Sequence, residues 1–152
     1  MISIELNIPP YLHKYLSRLY GKYLYADFKT PFGVMILGIL RKKTNKQMNP
    51  PKNKDNLMPY TIKMSLSMFE KEGCHIFEQD QIIIAKTINI WFREQMYTNA
   101  VINNLAKGIP YKESIVNFLE VYGITEEELS LDSVLKDFGR KKADILDRML
   151  VD

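Results

Sequence analysis

Between Asp80 and Lys107 the chain runs without a glycine or a proline, and its apolar residues recur at helical spacing. Ile83, Ile84, Ile90, Trp91, Met96, Tyr97, Val101 and Leu105 form one broad stripe, the signature of an amphipathic helix. At about 1.5 Å per residue such a helix is roughly 40 Å long, enough to span a small domain. Gly108 and Pro110 end it, because glycine accepts the left-handed C-cap conformation and proline cannot continue the ladder. A chain built on this rod is expected to be mainly α.

The shorter segments fit around it. Tyr11 to Tyr20 carries Leu12, Tyr15, Leu16 and Leu19 on one side, and Gly21 stands where the helix should stop. Thr30-Pro31 reads as an N-cap followed by proline at the first helical position. The helix it opens, from Phe32 to about Lys43, is apolar on nearly all sides, so it should lie deep in the core or against a partner. Gly33 and Gly38 within it suggest close packing. Ile2 to Ile8 and Tyr60 to Leu66 alternate apolar and polar residues, as half-buried strands do. A two-stranded element is marginal alone and needs helices on one face, or a third strand from a second subunit.

Toward the C-terminus, Tyr111 to Tyr122 reads as an amphipathic helix stopped at Gly123. Thr125 and Glu128 have the spacing of a capping box for a further helical turn. Asp132 is the expected N-cap of a last helix lined by Val134, Leu135, Phe138, Ile145, Leu146 and Met149. The fold class expected is mainly α (α+β), a multi-helix bundle packed on a small two-stranded β element. It forms a single helical domain over residues 1–152, with a basic insertion at about 44–59.

The 152 residues are 46% hydrophobic and 26% charged, the composition of a folded chain with a real core. The single cysteine, Cys74, excludes an internal disulfide. The longest apolar run, Val34 to Leu40, is far short of a membrane span, and Met1 to Ile8 alternates rather than forming a signal segment. The cytoplasm is the expected location, with no membrane partner.

Catalytic chemistry finds little to work with. Phosphate-loop, dinucleotide, zinc-protease and nucleophile-elbow motifs are absent from the sequence. His13 falls on the polar side of its helix and reads as solvated. Cys74 and His75 are sequence neighbours, whereas a nucleophile and its base must meet in space. Glu70, Glu72, Glu78 and Asp80 bracket a short connection without the spacing of a metal-ligand set. A non-enzymatic protein without cofactor or metal is expected.

The sharpest functional feature is charge distribution. The net charge of +3 permits a nucleic-acid partner without demanding one. Arg41, Lys42, Lys43, Lys46, Lys52 and Lys54 are grouped without an intervening acid. Such a segment neutralises phosphates in a salt-dependent manner, or simply solubilises an exposed insertion. It has no aromatic residue on which bases would stack, so backbone contact is the most it supports. Arg140-Lys141-Lys142 forms a second basic cluster. The segments around Gly123 have the outline of a helix-turn-helix, but Glu126-Glu127-Glu128 would open the reading helix and repel phosphates; a plain bundle fits the same pattern. A ribbon-helix-helix would turn Ser3, Glu5 and Asn7 outward, and Glu5 disfavours it.

Residues Gly108 to Leu129, from Gly108-Ile109-Pro110-Tyr111 through Phe118-Leu119-Glu120-Val121-Tyr122-Gly123, and then Leu135 to Lys141, resemble small uncharacterised proteins of bacteriophages and mobile elements in Bacteroidota. The resemblance covers about the last third of the chain. It implies a mobile-element setting and DNA-related work, and it assigns no functional residue. The leading expectation is therefore an accessory protein that contacts DNA or RNA through Arg41–Lys54 and Arg140–Lys142. The alternative is a protein-interaction or homo-oligomeric scaffold, a dimer for instance, using the apolar Phe32–Leu40 helix and the paired strands.

Overall fold

The computed structural model describes residues 1–41, 56–71 and 78–151. In chain order these form β1 (Ile2–Ile8), α1 (Pro10–Tyr20), β2 (Tyr23–Tyr25), α2 (Pro31–Arg41), β3 (Met58–Met64), α3 (Leu66–Lys71), α4 (Glu78–Lys107), α5 (Tyr111–Val121) and α6 (Leu131–Met149). The class is mainly α with a small sheet, as the periodicities imply. The chain forms two compact units, Met1–Asn89 and Ile90–Asp152, and the division falls within α4.

In the first unit the sheet has three strands, not two, in the order β1-β3-β2. β3 pairs antiparallel with β1 (Ile4 opposite Ile62) and parallel with β2 (Leu24 opposite Ile62). The third strand thus comes from the same chain rather than from a second subunit. β3 also begins earlier than its alternation suggests and includes Pro59, which lies opposite Asn7. β2 joins only from Thr61 onward, so at Pro59 the strand has β1 as its one sheet neighbour. Proline is tolerated at such an edge position.

One face of the sheet is core. Ile4, Leu6, Ile8, Leu24, Tyr60, Ile62 and Met64 are buried on it. α1, whose Leu12, Tyr15 and Leu16 are buried, lies against β2 and β3. The Tyr60 hydroxyl donates to the Gly21 carbonyl at 3.0 Å, tying the core strand to the turn that leaves α1. His13 is half-buried rather than solvated, because its ring packs edge-on against Tyr60 with centroids 5.6 Å apart.

α2 starts where Thr30-Pro31 places it: the Gly33 N–H donates to Thr30 Oγ1 at 2.9 Å. Phe32, Gly33, Ile36, Leu37 and Leu40 are buried, so one face of this apolar helix is core, while Val34 on another side is exposed. Gly33 is a true close contact, since a Cβ there would fall on the Asp27 carbonyl oxygen and 2.9 Å from that of Tyr25. Gly38 faces open space instead. The expectation of close packing holds for the first glycine only.

In the second unit Phe92, Met96, Tyr97, Ala100 and Val101 of α4 are buried together with Ile115 and Leu119 of α5 and Val134, Phe138 and Ile145 of α6. Aromatic rings join them, with Tyr97 and Tyr111 each about 5.4 Å or less from Phe138. The buried Ser114 hydroxyl accepts from Asn103 Nδ2 at 3.2 Å, fixing α5 to α4. Residues 125–129 form a turn rather than helix. The Glu128 carboxylate still accepts from the Thr125 N–H at 3.0 Å, as a capping box requires. The cap of α6 is Ser130, whose hydroxyl accepts from Ser133 N–H, and not Asp132. α5 and α6 are separated by residues 122–130, much longer than the 3–4-residue turn of a helix-turn-helix. That outline is therefore not formed.

Candidate nucleic-acid interface

Alternation along the strands gives the sheet a second face, and that face is exposed. Ser3, Glu5 and Asn7 of β1 and Tyr23 and Tyr25 of β2 are exposed on it, with Thr61 and Lys63 of β3 half-exposed between them. Register sets two rows across the strands: Glu5–Thr61–Tyr23 and Ser3–Lys63–Tyr25. In the first row the Thr61 hydroxyl donates to Glu5 Oε1 at 3.0 Å. The tyrosines stand edge-to-face with ring centroids 6.2 Å apart, and the Lys63 ammonium sits 3.7 Å from the Tyr23 centroid. Tyr25 is 46% exposed, and Phe28, in the segment leaving β2, is 56% exposed. Three aromatic residues thus stand at the surface within the six residues 23–28.

Of the basic residues singled out in the sequence, Arg41 ends α2 and donates Nε to the Leu37 carbonyl at 3.4 Å. Lys42, Lys43, Lys46, Lys52 and Lys54 lie outside the described residues, as do Glu72, Cys74 and His75. Arg140, Lys141 and Lys142 lie on α6. Lys141 Nζ is 3.2 Å from Asp137 Oδ2, and the Lys142 ammonium is 5.0 Å from the Tyr111 ring centroid.

Asp137 is the hub of a buried-edge network. It accepts from the Tyr97 hydroxyl at 2.6 Å and lies 3.3 Å from Arg93 Nη1. Burial acts to raise the Asp137 carboxyl. The hydrogen bonds from Tyr97 and Lys141 and the charges of Lys141 and Arg93 outweigh it, holding the group below its ordinary 3.8. Burial and the Asp137 hydrogen bond push the Tyr97 phenol well above its ordinary value. Lys136 is paired with Asp132, and Arg148 with Glu94. Four cations of this unit are thus engaged by its own acids.

Charge divides between the units. The first holds thirteen Lys and Arg against seven Asp and Glu, the second eight against eleven. Among the described residues no three His, Cys, Asp or Glu side chains come together in a group that could hold a metal ion. Asp80 is buried in the first turn of α4, where the helix dipole favours a negative charge. Glu78 lines a cavity of about 530 Å³ with Tyr11, Lys86 and Asn89, in which the Tyr11 hydroxyl donates to Asn89 Oδ1 at 2.9 Å. A second groove, of about 640 Å³ and within the second unit, is lined by Trp91, Asn99, Ile102, Phe118, Val121 and Tyr122. Among the described residues, no helix is long and apolar enough to cross a membrane.

Sequence reasoning missed the Tyr23–Tyr25 pair. Its signal is an alternation of only four residues, Tyr23-Leu24-Tyr25-Ala26, too short to be distinguished from a loop. No protein-family model matches this chain, and neither does any curated protein or solved structure.

Proposed function

We propose that this chain is a non-enzymatic, nucleic-acid-associated accessory protein, of the kind a phage or mobile element encodes, and that its first unit makes the contact. The observation that carries this reading is the division of charge. The first unit is strongly basic for its size and contains the whole Arg41–Lys54 cluster, whereas the second is acidic overall. A phosphate backbone binds where cations exceed acids, and each contact releases counterions. Arg140, Lys141 and Lys142 play a lesser part, because Lys141 is held by Asp137.

The test is to replace Arg41, Lys42, Lys43, Lys46, Lys52 and Lys54 by glutamine. Binding to labelled oligonucleotides is then measured between about 50 and 200 mM salt, the range over which phosphate contacts weaken strongly. Weaker binding and a flatter salt slope are expected. Absence of binding to duplex and single strand alike at the low-salt end contradicts the proposal.

The apolar groove of the second unit favours a second reading, a protein-interaction module. Trp91, Ile102 and Val121 on its walls are 40%, 49% and 67% exposed, an arrangement suited to an amphipathic helix. In that case Ile102→Asp with Val121→Asp abolishes partner or self-association while leaving oligonucleotide binding unchanged.

A further inference from the structure

We infer that the exposed sheet face is a stacking platform for single-stranded nucleic acid, with Tyr23 and Tyr25 holding one or two unpaired bases and Lys63 meeting the adjoining phosphate. The inference rests on the nucleic-acid reading above and specifies which form of nucleic acid is bound, and where.

Three features of the face select this occupant. The first is the aromatic pair. Both rings lie on the outer face of a strand held from beneath by Leu24, fully in the core, and from the side by α2, where Gly33 packs against the Tyr25 carbonyl. Rigid, exposed aromatic rings on a sheet are how unstacked bases are commonly gripped. The second is charge. Lys63 is central to the face, and the unit to which it belongs has six more cations than anions in its sequence, which complements a polyanion. The third is the contact between them. Lys63 covers Tyr23 at 3.7 Å, an attraction worth little at an exposed site. An arriving base takes over the ring face while the flexible ammonium swings to a phosphate, so the free protein keeps its stacking surface covered until a polyanion arrives.

Glu5 sets the path. Its carboxylate lies at the β1 end of the Tyr23 row, held by the Thr61 hydroxyl, and repels a backbone crossing toward β1. The strand therefore follows β2 and Lys63. A duplex does not fit, since its bases are already stacked and paired. Ring stacking on Tyr23 and Tyr25 and charge contact through Lys63 read neither base identity nor the sugar. DNA and RNA single strands are bound alike.

The experiment uses the full chain and fluorescence anisotropy with a labelled oligo-dT, an oligo-U of equal length, and a duplex. Four variants are compared: Tyr23→Ala with Tyr25→Ala, Tyr23→Phe with Tyr25→Phe, Lys63→Gln and Glu5→Gln. Both tyrosines are surface residues, and circular dichroism verifies that each variant is folded. The expected results are preference for both single strands over the duplex, and at least a tenfold loss of single-strand affinity in the alanine pair, in line with base–aromatic stacking. The phenylalanine pair restores binding, Lys63→Gln weakens it, and Glu5→Gln strengthens it. If single strands and duplex bind equally and the alanine pair changes neither, the platform is wrong while nucleic-acid binding through the Arg41–Lys54 cluster stands. A tenfold or greater preference between oligo-dT and oligo-U overturns the sugar-blind mode. If nothing binds, both proposals fall.

Discussion

Two glycines five residues apart in α2 make opposite demands on a methyl group. At Gly33 a Cβ would meet the Asp27 and Tyr25 carbonyls, whereas at Gly38 it would meet nothing within 4 Å. Gly33→Ala is therefore expected to lower stability by about 1–3 kcal/mol through overpacking. Gly38→Ala is expected to raise it by about 0.5–1 kcal/mol, because mid-helix glycine carries an entropic cost. Urea unfolding of the two variants measures both signs. The sequence shows two helical glycines and nothing more; which of them touches a carbonyl depends on a segment that is neighbouring only in the fold. Tyr97 illustrates the same point for polar chemistry. The Asp137–Lys141 spacing is visible as an i,i+4 pair, but the convergence of Tyr97 and Arg93 on that carboxylate, forty and more positions apart, is not. Tyr97→Phe removes a hydrogen bond to a charged acceptor and is expected to cost about 2 kcal/mol.

That network also fixes a pH dependence. The folded state holds Asp137 below its ordinary 3.8, so its ionised form is favoured by folding. The contribution is complete above that value and disappears as pH falls through the lower folded value. The phenols act in the opposite direction. Tyr60 is pushed up to about 12 by burial and by the nearby Tyr20, and Tyr97 is also raised. Their contribution is complete below pH 10 and is lost as pH rises through the folded values. Unfolding free energy measured against pH should fall at both extremes, and Asp137→Asn should flatten the acid limb.

Among the elements, those with strong local signals were readable and those defined by their neighbours were not. β1, α1, the Thr30-Pro31 start of α2, and α4 with its Gly108 stop follow from short-range chemistry. The start of α6 does not: Ser130 and Asp132 are both good caps, and the backbone chooses Ser130 because residues 122–130 run as a connection in which Glu126 Oε2 accepts from the Leu131 N–H at 2.9 Å. Ser130→Ala is expected to cost about 0.5–2 kcal/mol, in the range for lost N-caps, and Asp132→Ala clearly less. Thermal melts of the two separate them. β2 was illegible because three residues acquire strand character only from β3 beside them. With β2 went the tyrosine pair, so the basic cluster was visible as composition while the aromatic pair was hidden.

For the molecule as a whole, a mild net charge of +3 conceals a basic unit and an acidic one. The sum argues weakly about partners; the division argues for polyanion binding by Met1–Asn89. The Arg140–Lys142 cluster, equally basic in the sequence, belongs to the acidic unit and is partly neutralised there. The most direct test is the salt dependence of oligo-dT binding by the intact protein and by its Arg41–Lys54 glutamine variant. The expected result is a log–log slope of roughly −0.7 for each phosphate neutralised, several-fold steeper for the intact protein than for the variant. A slope near zero for the intact protein, or the same slope for both, contradicts the account.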